Sequence, residues 1–317
     1  MRGTIRGNAQ VKNWSVSEQQ LDDAQLVKRM VLKRCIFGAD KNPMAVELAK
    51  VSLWLHTFTV GAPLSFIDHH LAAGDSLFGL WVRDAIDKAG KGGELLYIDD
   101  LRNAERQASV MQRIEALTDA EIGEAHDSAE LWRDVEFQVG PFDSFVSFIH
   151  ALDWLDLKGP DKALVTLWLD GRFGDPLPIS RGRKSPEGGK AKPDELERFT
   201  AIWQAARELI NEERFLNWQI TFPGVWSNWG SKGLEGGFDA IVGNPPWDRI
   251  KLQQVEWFAA RRPEIAKAQR ASDRTKMIKA LKDAGDPLFA DYAKADTGLA
   301  RLMAAGERFA MGRGALQ

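Results

Sequence analysis

Short apolar runs alternate with amphipathic stretches in the first eighty residues of the chain. A run from Arg34 to Asp40 predicts a short buried strand, and residues 15–33 before it have helical composition. Asn42 is a suitable N-cap, and Pro43 suits the first helical position because its missing N–H is not needed there. A helix with one apolar face is then predicted over residues 43–58 from the helical spacing of Leu48, Val51, Leu55 and Phe58.

A second strand is predicted over residues 70–73, directly before Gly74, Asp75 and Ser76. A strand, a helix and a strand in this order form the unit from which parallel α/β sheets are built. A third apolar run, residues 238–243, predicts another strand. The pattern therefore predicts an α/β fold whose core strands lie on both sides of a long intervening region.

The intervening region, from about residue 77 to 233, has a different character. Three of its stretches have helical composition: residues 105–124, 128–135 and 193–215. Residues 171–192 are rich in Pro, Gly, Arg and Lys and predict an exposed loop. We therefore expect a first part of the core over 1–76, a mostly helical insertion over 77–232, a core strand with its following loop over 233–250, and a helical extension over 251–317.

Composition narrows the class of protein. Apolar residues make up 44% of the 317 residues, which is typical of a globular chain. The sequence contains no apolar run long enough to cross a bilayer and no signal-peptide core, so a cytoplasmic location is expected. Cys35 is the one cysteine, and the five histidines lack ligand spacing, so we expect no metal site. The net charge of −3 does not favour DNA binding, but a local basic surface suffices for it.

Acidic residues follow both of the first two predicted strands. Ligands of open parallel sheets bind beyond the carboxyl ends of the strands. There, Asp40 can accept hydrogen bonds from the hydroxyls of a ribose, and Asp75 can accept one from an adenine amine. Each acid also has a simpler interpretation, since Asp40 can be a carboxylate at a helix N-terminus and Asp75 a surface turn residue.

The third predicted strand is followed by Asn244, Pro245, Pro246 and Trp247. The lone pair of an adenine amine is delocalised into the ring, and two acceptors on the amine hydrogens would free it to attack a methyl group. The Asn244 side chain and the Pro245 carbonyl can supply those acceptors, while the two prolines fix the backbone. Trp247 offers a flat face for a base that has been flipped out of the duplex. A rigid turn without function is the alternative.

The chain resembles the large adenine-specific DNA methyltransferases of restriction–modification and phage-defence systems in three segments. These are the two strand ends that carry Asp40 and Asp75, and the third strand with the tetrapeptide that follows it. The resemblance implies a Rossmann-like core that uses S-adenosylmethionine and methylates a flipped adenine in double-stranded DNA. Asp40 would bind the cofactor ribose and Asp75 its adenine, with Asn42 and Ser76 beside them as further cofactor-binding candidates. Asn244 and Pro245 would bind the target amine, next to Pro246, and Trp247 would stack on the base. A restriction nuclease or another defence-system subunit is a further partner that the resemblance implies.

The chain departs from the family pattern in one motif. A glycine-rich turn after the first strand holds the methionine half of the cofactor in the family, but the glycines before Asp40 are Gly3, Gly7 and Gly38, and none of them follows an apolar strand. We therefore expect a fragment that also ends before the target-recognition domain. Two alternatives stay open: methylation of a protein glutamine amide, and a non-catalytic DNA-binding or scaffold remnant of a methylase.

Overall fold

The chain folds into two compact units, Met1–Asp239 and Ala240–Gln317. The computed structural model describes the following residues, apart from the side chains of residues 9 and 91–97: 2–11, 23–155, 157–229, 235–243, 252–293 and 295–297. Within this part of the chain, no helix combines the length and the apolar character needed to cross a membrane.

The predicted strand–helix–strand unit is confirmed. It consists of β1 (Gly38–Asp40), α3 (Pro43–His56) and β2 (Leu71–Ala73). The two strands are parallel neighbours, and Asp40 lies opposite Ala73 in their register. The carboxyl ends of both strands therefore lie side by side at one edge of the sheet.

The first strand is shorter than predicted, because helix α2 (Asp23–Cys35) continues through Arg34 and Cys35. Arg34 occupies the last turn of this helix, where a positive charge interacts favourably with the helix dipole. Its Nε also donates to the carbonyl of Glu115 at 3.0 Å. These interactions favour helix at positions where the apolar pattern alone predicted strand.

Helix α3 has the predicted position, but its apolar face is not buried within the described part of the chain. Leu48, Val51, Leu55 and Phe58 are between 48% and 74% exposed. The helix instead packs against β1 and β2, and its buried residue is Val46. The sequence pattern identified the helix correctly but not the side that contacts the sheet.

The third predicted strand, over residues 238–243, is wrong for the structure described here. These residues are neither helix nor strand, and Ile241 and Val242 are 79% and 96% exposed. Only Phe238 is anchored, with its ring centroid 5.3 Å from that of Phe37. An apolar run forms a strand only where a neighbouring strand pairs with its backbone groups, and no described segment pairs with this one.

For the same reason, the described residues do not form the Rossmann-like sheet that the resemblance implied. In the described residues there are two sheets of two strands each: the parallel pair β1–β2 and the antiparallel pair β3 (Trp226–Ser227) and β4 (Glu235–Gly236). Most of the structure is helical. The remaining helices of the first unit are α1 (Arg2–Val11), α4 (Val82–Ala116), α5 (Ile122–Trp154), α6 (Pro160–Leu169), α7 (Pro176–Ser180), α8 (Pro193–Glu213) and α9 (Trp218–Thr221).

The main hydrophobic core lies among the helices between residues 82 and 221. The rings of Phe173 and Phe199 stack there with centroids 4.4 Å apart, and Trp168 packs edge-on against Phe148. Residues 171–192, predicted to be an exposed loop, contribute to this core through α7, whose Ile179 is buried. The helical region therefore has its own core, against which Phe37, just before β1, and Ala72, in β2, also pack.

A buried ionic cluster joins helix α2 to the loop before β2. Lys33 forms an ion pair with Asp119, and both side chains are almost completely buried. Arg29 donates to the carbonyl of Asp119 at 2.7 Å, and the N–H of Phe66 donates to its Oδ2 at 2.9 Å. Burial lowers the pKa of Lys33, while the hydrogen bond and charge of Asp119 oppose that shift. The carboxylate of Asp119 thus anchors the segment that leads into β2.

The second unit contains α10 (Gln254–Ala259), α11 (Pro263–Ala266) and α12 (Ala271–Asp283). Its core is formed by Phe258, Ile265 and Ile278, with partly buried aromatic residues around them. Arg262 is paired with Asp286, with Nη2 and Oδ2 2.5 Å apart. At least one basic residue of this unit therefore forms an ion pair within the unit itself.

We expect Asp119→Asn to destabilise the first unit. The substitution keeps the shape and tolerates the positive φ of 50° at this position, but it leaves the buried Lys33 without a counter-charge. Removing one partner of a buried ion pair typically costs about 3–5 kcal/mol. Guanidinium unfolding of the variant measures this loss.

The matched control is Asp127→Asn, at an exposed aspartate near the start of α5. We expect it to change the free energy of unfolding by less than about 0.5 kcal/mol. Equal stability of the two variants would show that the cluster around Asp119 does not hold the first unit together.

Candidate functional site

The residues at the ends of β1 and β2 lie together, as the parallel pairing requires. The N–H of Gly74, directly after β2, donates to the carbonyl of Asp40 at 2.9 Å. Asp40, Asn42, Asp75 and Ser76 form what we call the strand-end site. Asp40 and Asn42 are exposed, and Asp75 and Ser76 are half-buried.

Asn42 shapes the first half of the strand-end site. Its side-chain oxygen accepts from the N–H of Met44 at 3.0 Å, which confirms the predicted N-cap of α3 with Pro43 in the first helical position. Its own N–H donates to Oδ1 of Asp40 at 2.7 Å. The turn between β1 and α3 therefore fixes one oxygen of Asp40, while Oδ2 forms no hydrogen bond with any described residue.

The carboxylate of Asp75 is held at both oxygens. Its Oδ1 accepts from the N–H of Leu77 at 3.0 Å, and its Oδ2 lies 3.2 Å from Nζ of Lys41. Lys41 also lies 2.8 Å from Oε2 of Glu213, at the end of α8. Burial alone would lower the pKa of Lys41, but the hydrogen bonds and charges of Glu213 and Asp75 outweigh this effect and raise it. Lys41 therefore carries its positive charge beside the two acids.

The chain beyond α8 passes along the strand-end site like an additional short strand. The N–H of Asp75 donates to the carbonyl of Arg214 at 2.7 Å, and the N–H of Leu216 donates to the carbonyl of Phe78 at 2.8 Å. Gly79 permits this close approach, because a Cβ built on it would lie 2.1 Å from the carbonyl oxygen of Leu216. Residues 75–79 are thus packed directly against residues 214–216.

Asn217 extends this contact into the helical region. Its completely buried side chain accepts from the N–H of Leu80 at 3.0 Å and donates to Oδ1 of Asp143 at 2.9 Å and to Oγ of Ser147 at 2.8 Å. Burial raises the pKa of Asp143 to about 6, although the hydrogen bond from Asn217 opposes the shift. One amide thus ties the segment after Asp75 to helix α5.

Helices α3 and α5 and strand β2 also line an open cavity of about 670 Å³. Its walls include Lys50, His69 and Trp132, but neither Asp40 nor Asp75. His69 and His70 belong to a short 3-10 helix before β2 and are both buried, with ring centroids 4.1 Å apart. None of the four strand-end residues lines this cavity, although Pro43 and Ala73 beside them do.

The remaining predicted site residues, Asn244, Pro245, Pro246 and Trp247, lie outside the described residues. Their assignment to a target base stays a prediction. Sequence reasoning did not identify Lys41, Glu213 or Asn217. Lys41 could have been noticed because it stands between Asp40 and Asn42, whereas no local pattern distinguishes Glu213 or Asn217 from other polar residues.

Comparison with known proteins identifies one family. Residues 34–278 match the family model described as Eco57I restriction-modification methylase, and this range covers well over half of the chain. It contains both strands of the parallel pair and the tetrapeptide 244–247. No curated protein and no solved structure matches the chain.

We expect Gly79→Ala to loosen the strand-end site, because the added methyl group would collide with the backbone of Leu216. Overpacking of this kind typically costs about 1–3 kcal/mol. Chemical denaturation measures the loss of stability. Hydrogen exchange should also become faster at the amides of Asp75 and Leu216, whose bonds join the two segments.

Gly123→Ala is the matched control, since nothing lies within 4 Å of the added Cβ at this helical position. It should be neutral or stabilise the protein by up to about 1 kcal/mol through helix propensity. If Gly79→Ala behaves like Gly123→Ala, the tight contact between residues 75–79 and 214–216 is not present in solution.

Proposed function

Because the chain belongs to the family of Eco57I restriction-modification methylases, we propose that it transfers a methyl group from S-adenosylmethionine to the exocyclic amine of adenine in double-stranded DNA. Family membership supports DNA methylation in general. The cofactor and the target base are the finer part of the proposal. In a restriction–modification system the modified sites are protected from a partner nuclease, which we include as a proposed partner.

The observation that carries the proposal is the pair of carboxylates at neighbouring strand ends. Asp40 and Asp75 follow parallel strands that pair directly, with Asp40 opposite Ala73. Carboxylates accept hydrogen bonds from hydroxyl and amine groups. The ribose hydroxyls and the adenine amine of S-adenosylmethionine are donors of this kind.

The two acids would bind different parts of the cofactor. Oδ2 of Asp40, which forms no hydrogen bond with a described residue, is an acceptor for the ribose hydroxyls. Asp75, oriented by Leu77 and Lys41, is an acceptor for the adenine amine. When bound, the cofactor supplies a methyl group activated by its attachment to a positively charged sulfur.

The residues after position 243 would act on the target base. The Asn244 side chain and the Pro245 carbonyl would accept from the two hydrogens of the target amine, and Trp247 would stack on the extruded base. With the cofactor bound, the amine nitrogen would take the methyl group from the sulfur, and one amine proton would pass to water. Rate enhancement would come from positioning and electrostatics rather than from a covalent enzyme intermediate.

We expect the full-length protein, given labelled S-adenosylmethionine and double-stranded DNA, to produce N6-methyladenine, measured by mass spectrometry of the digested nucleosides. Asn244→Ala should abolish the product, because one of the two proposed acceptors for the target amine is lost. Asn103→Ala, on helix α4, is the matched control and should retain activity.

Other products decide between this proposal and its rivals. Methylcytosine would contradict the choice of base, and a methylated glutamine in added protein would favour the protein methyltransferase. A chain that binds DNA but not S-adenosylmethionine in equilibrium dialysis would be a non-catalytic remnant. Full activity of Asn244→Ala would refute the proposed role of the tetrapeptide.

A further inference from the structure

Lys41 connects three elements that are far apart in the sequence. It follows β1, its Nζ lies 3.2 Å from Oδ2 of Asp75 after β2, and the same Nζ lies 2.8 Å from Oε2 of Glu213 at the end of α8. Lys41 and Glu213 are separated by 172 positions along the chain. A helix of the insertion therefore contributes an acid to the charge balance of the strand-end site.

This acid–base–acid arrangement contributes little to stability, because the side chain of Lys41 is 46% exposed and exposed ion pairs contribute little to folding. Its effect on the orientation of the Asp75 carboxylate is larger. The side chain of Asp75 is only 14% exposed, and each of its oxygens already has a partner, Leu77 for Oδ1 and Lys41 for Oδ2. The carboxylate is thus held in one orientation.

Glu213 determines how strongly the ammonium group of Lys41 interacts with the carboxylate of Asp75. With two acids sharing one ammonium group, neither carboxylate is fully neutralised. Without Glu213, the whole charge of Lys41 would bear on Asp75 and compete with any other donor. Without Lys41, Asp75 and Glu213 would repel each other, and only the N–H of Leu77 would still hold the carboxylate of Asp75.

We infer that Lys41 and Glu213 are positioning residues that hold Asp75 to accept from a 6-amino group, so that the helical insertion sets the preference of the nucleoside site for adenine over 6-oxopurines. The inference rests on the proposed function, since it assumes that Asp75 faces the purine of the cofactor. The carbonyl oxygen of a 6-oxopurine is an acceptor, so it would face the carboxylate without a hydrogen bond and would be repelled. The selectivity of the site therefore depends on where that carboxylate points.

The test compares the binding of two stable ligands by calorimetry: S-adenosylhomocysteine and its inosine counterpart, which differ at the purine 6-position. The wild-type chain should prefer the adenine ligand. Lys41→Met and Glu213→Gln should each reduce the preference by about tenfold. This ratio of affinities corresponds to the weakening of one charge-assisted hydrogen bond. The double variant should lose no more than Lys41→Met alone, because the two residues act as one unit.

Lys50→Met is the matched control. Lys50 also bridges two acids, with Nζ 2.8 Å from Oε1 of Glu47 and 2.7 Å from Oδ1 of Asp68, but it lies on α3 away from the strand-end site. It should leave the ratio of the two affinities unchanged even if it lowers stability. Circular dichroism confirms that each variant is folded.

The outcomes separate the inference from the function on which it rests. A wild-type chain that binds neither ligand refutes both. A wild-type chain that prefers adenine while Lys41→Met and Glu213→Gln keep the same preference refutes only the positioning role. Additive effects of the two substitutions on the preference in the double variant would also refute the positioning role, because the two side chains would then act independently.

Discussion

The parallel pairing of β1 with β2 is the constraint on which the strand-end site depends. It is only three residues long on each side, yet it sets Asp40 opposite Ala73 and brings Asp75 to the same edge. A pair of strands this short is not stable by itself. Its position has to be maintained by what surrounds it: the cap of α3 at Asn42, the buried cluster around Asp119, and the chain after α8.

The helical region after β2 is therefore part of the site rather than a neighbour of it. Most of the apolar core lies among its helices, and its last residues return to the strand ends. There, Glu213 pairs with Lys41, the carbonyl of Arg214 accepts from Asp75, and Asn217 binds the N–H of Leu80. A large helical region thus supports a small number of polar groups through specific hydrogen bonds.

The sequence predicted those features of the fold that have local causes. Asn followed by Pro is a favoured start of a helix, and the helix and the two strands around it follow from short-range patterns. The run 238–243 has the same apolar character as a strand, but strand formation depends on a pairing partner, which no local pattern encodes. The exposed face of α3 has a similar cause, since periodicity reveals an apolar stripe without showing what covers it.

The candidate site also contains residues that the sequence could predict and residues that it could not. Asp40 and Asp75 could be found because strand ends are where ligands of parallel sheets bind. Lys41 and Glu213 could not be paired from the sequence, because only the folded chain brings positions 172 residues apart into contact. Asn217 is one of many polar residues until its three buried hydrogen bonds are seen. Long-range polar contacts, rather than the chemistry of single residues, are what the sequence conceals.

The most direct test of the account is photo-crosslinking of the chain with methyl-labelled S-adenosylmethionine, followed by mass spectrometry of the labelled peptides. If the paired strand ends form the nucleoside site, the label will be found in the peptides that contain residues 38–43 and 71–79, and excess S-adenosylhomocysteine will remove it. Label found only elsewhere in the chain, or label that the competitor does not displace, would contradict the account.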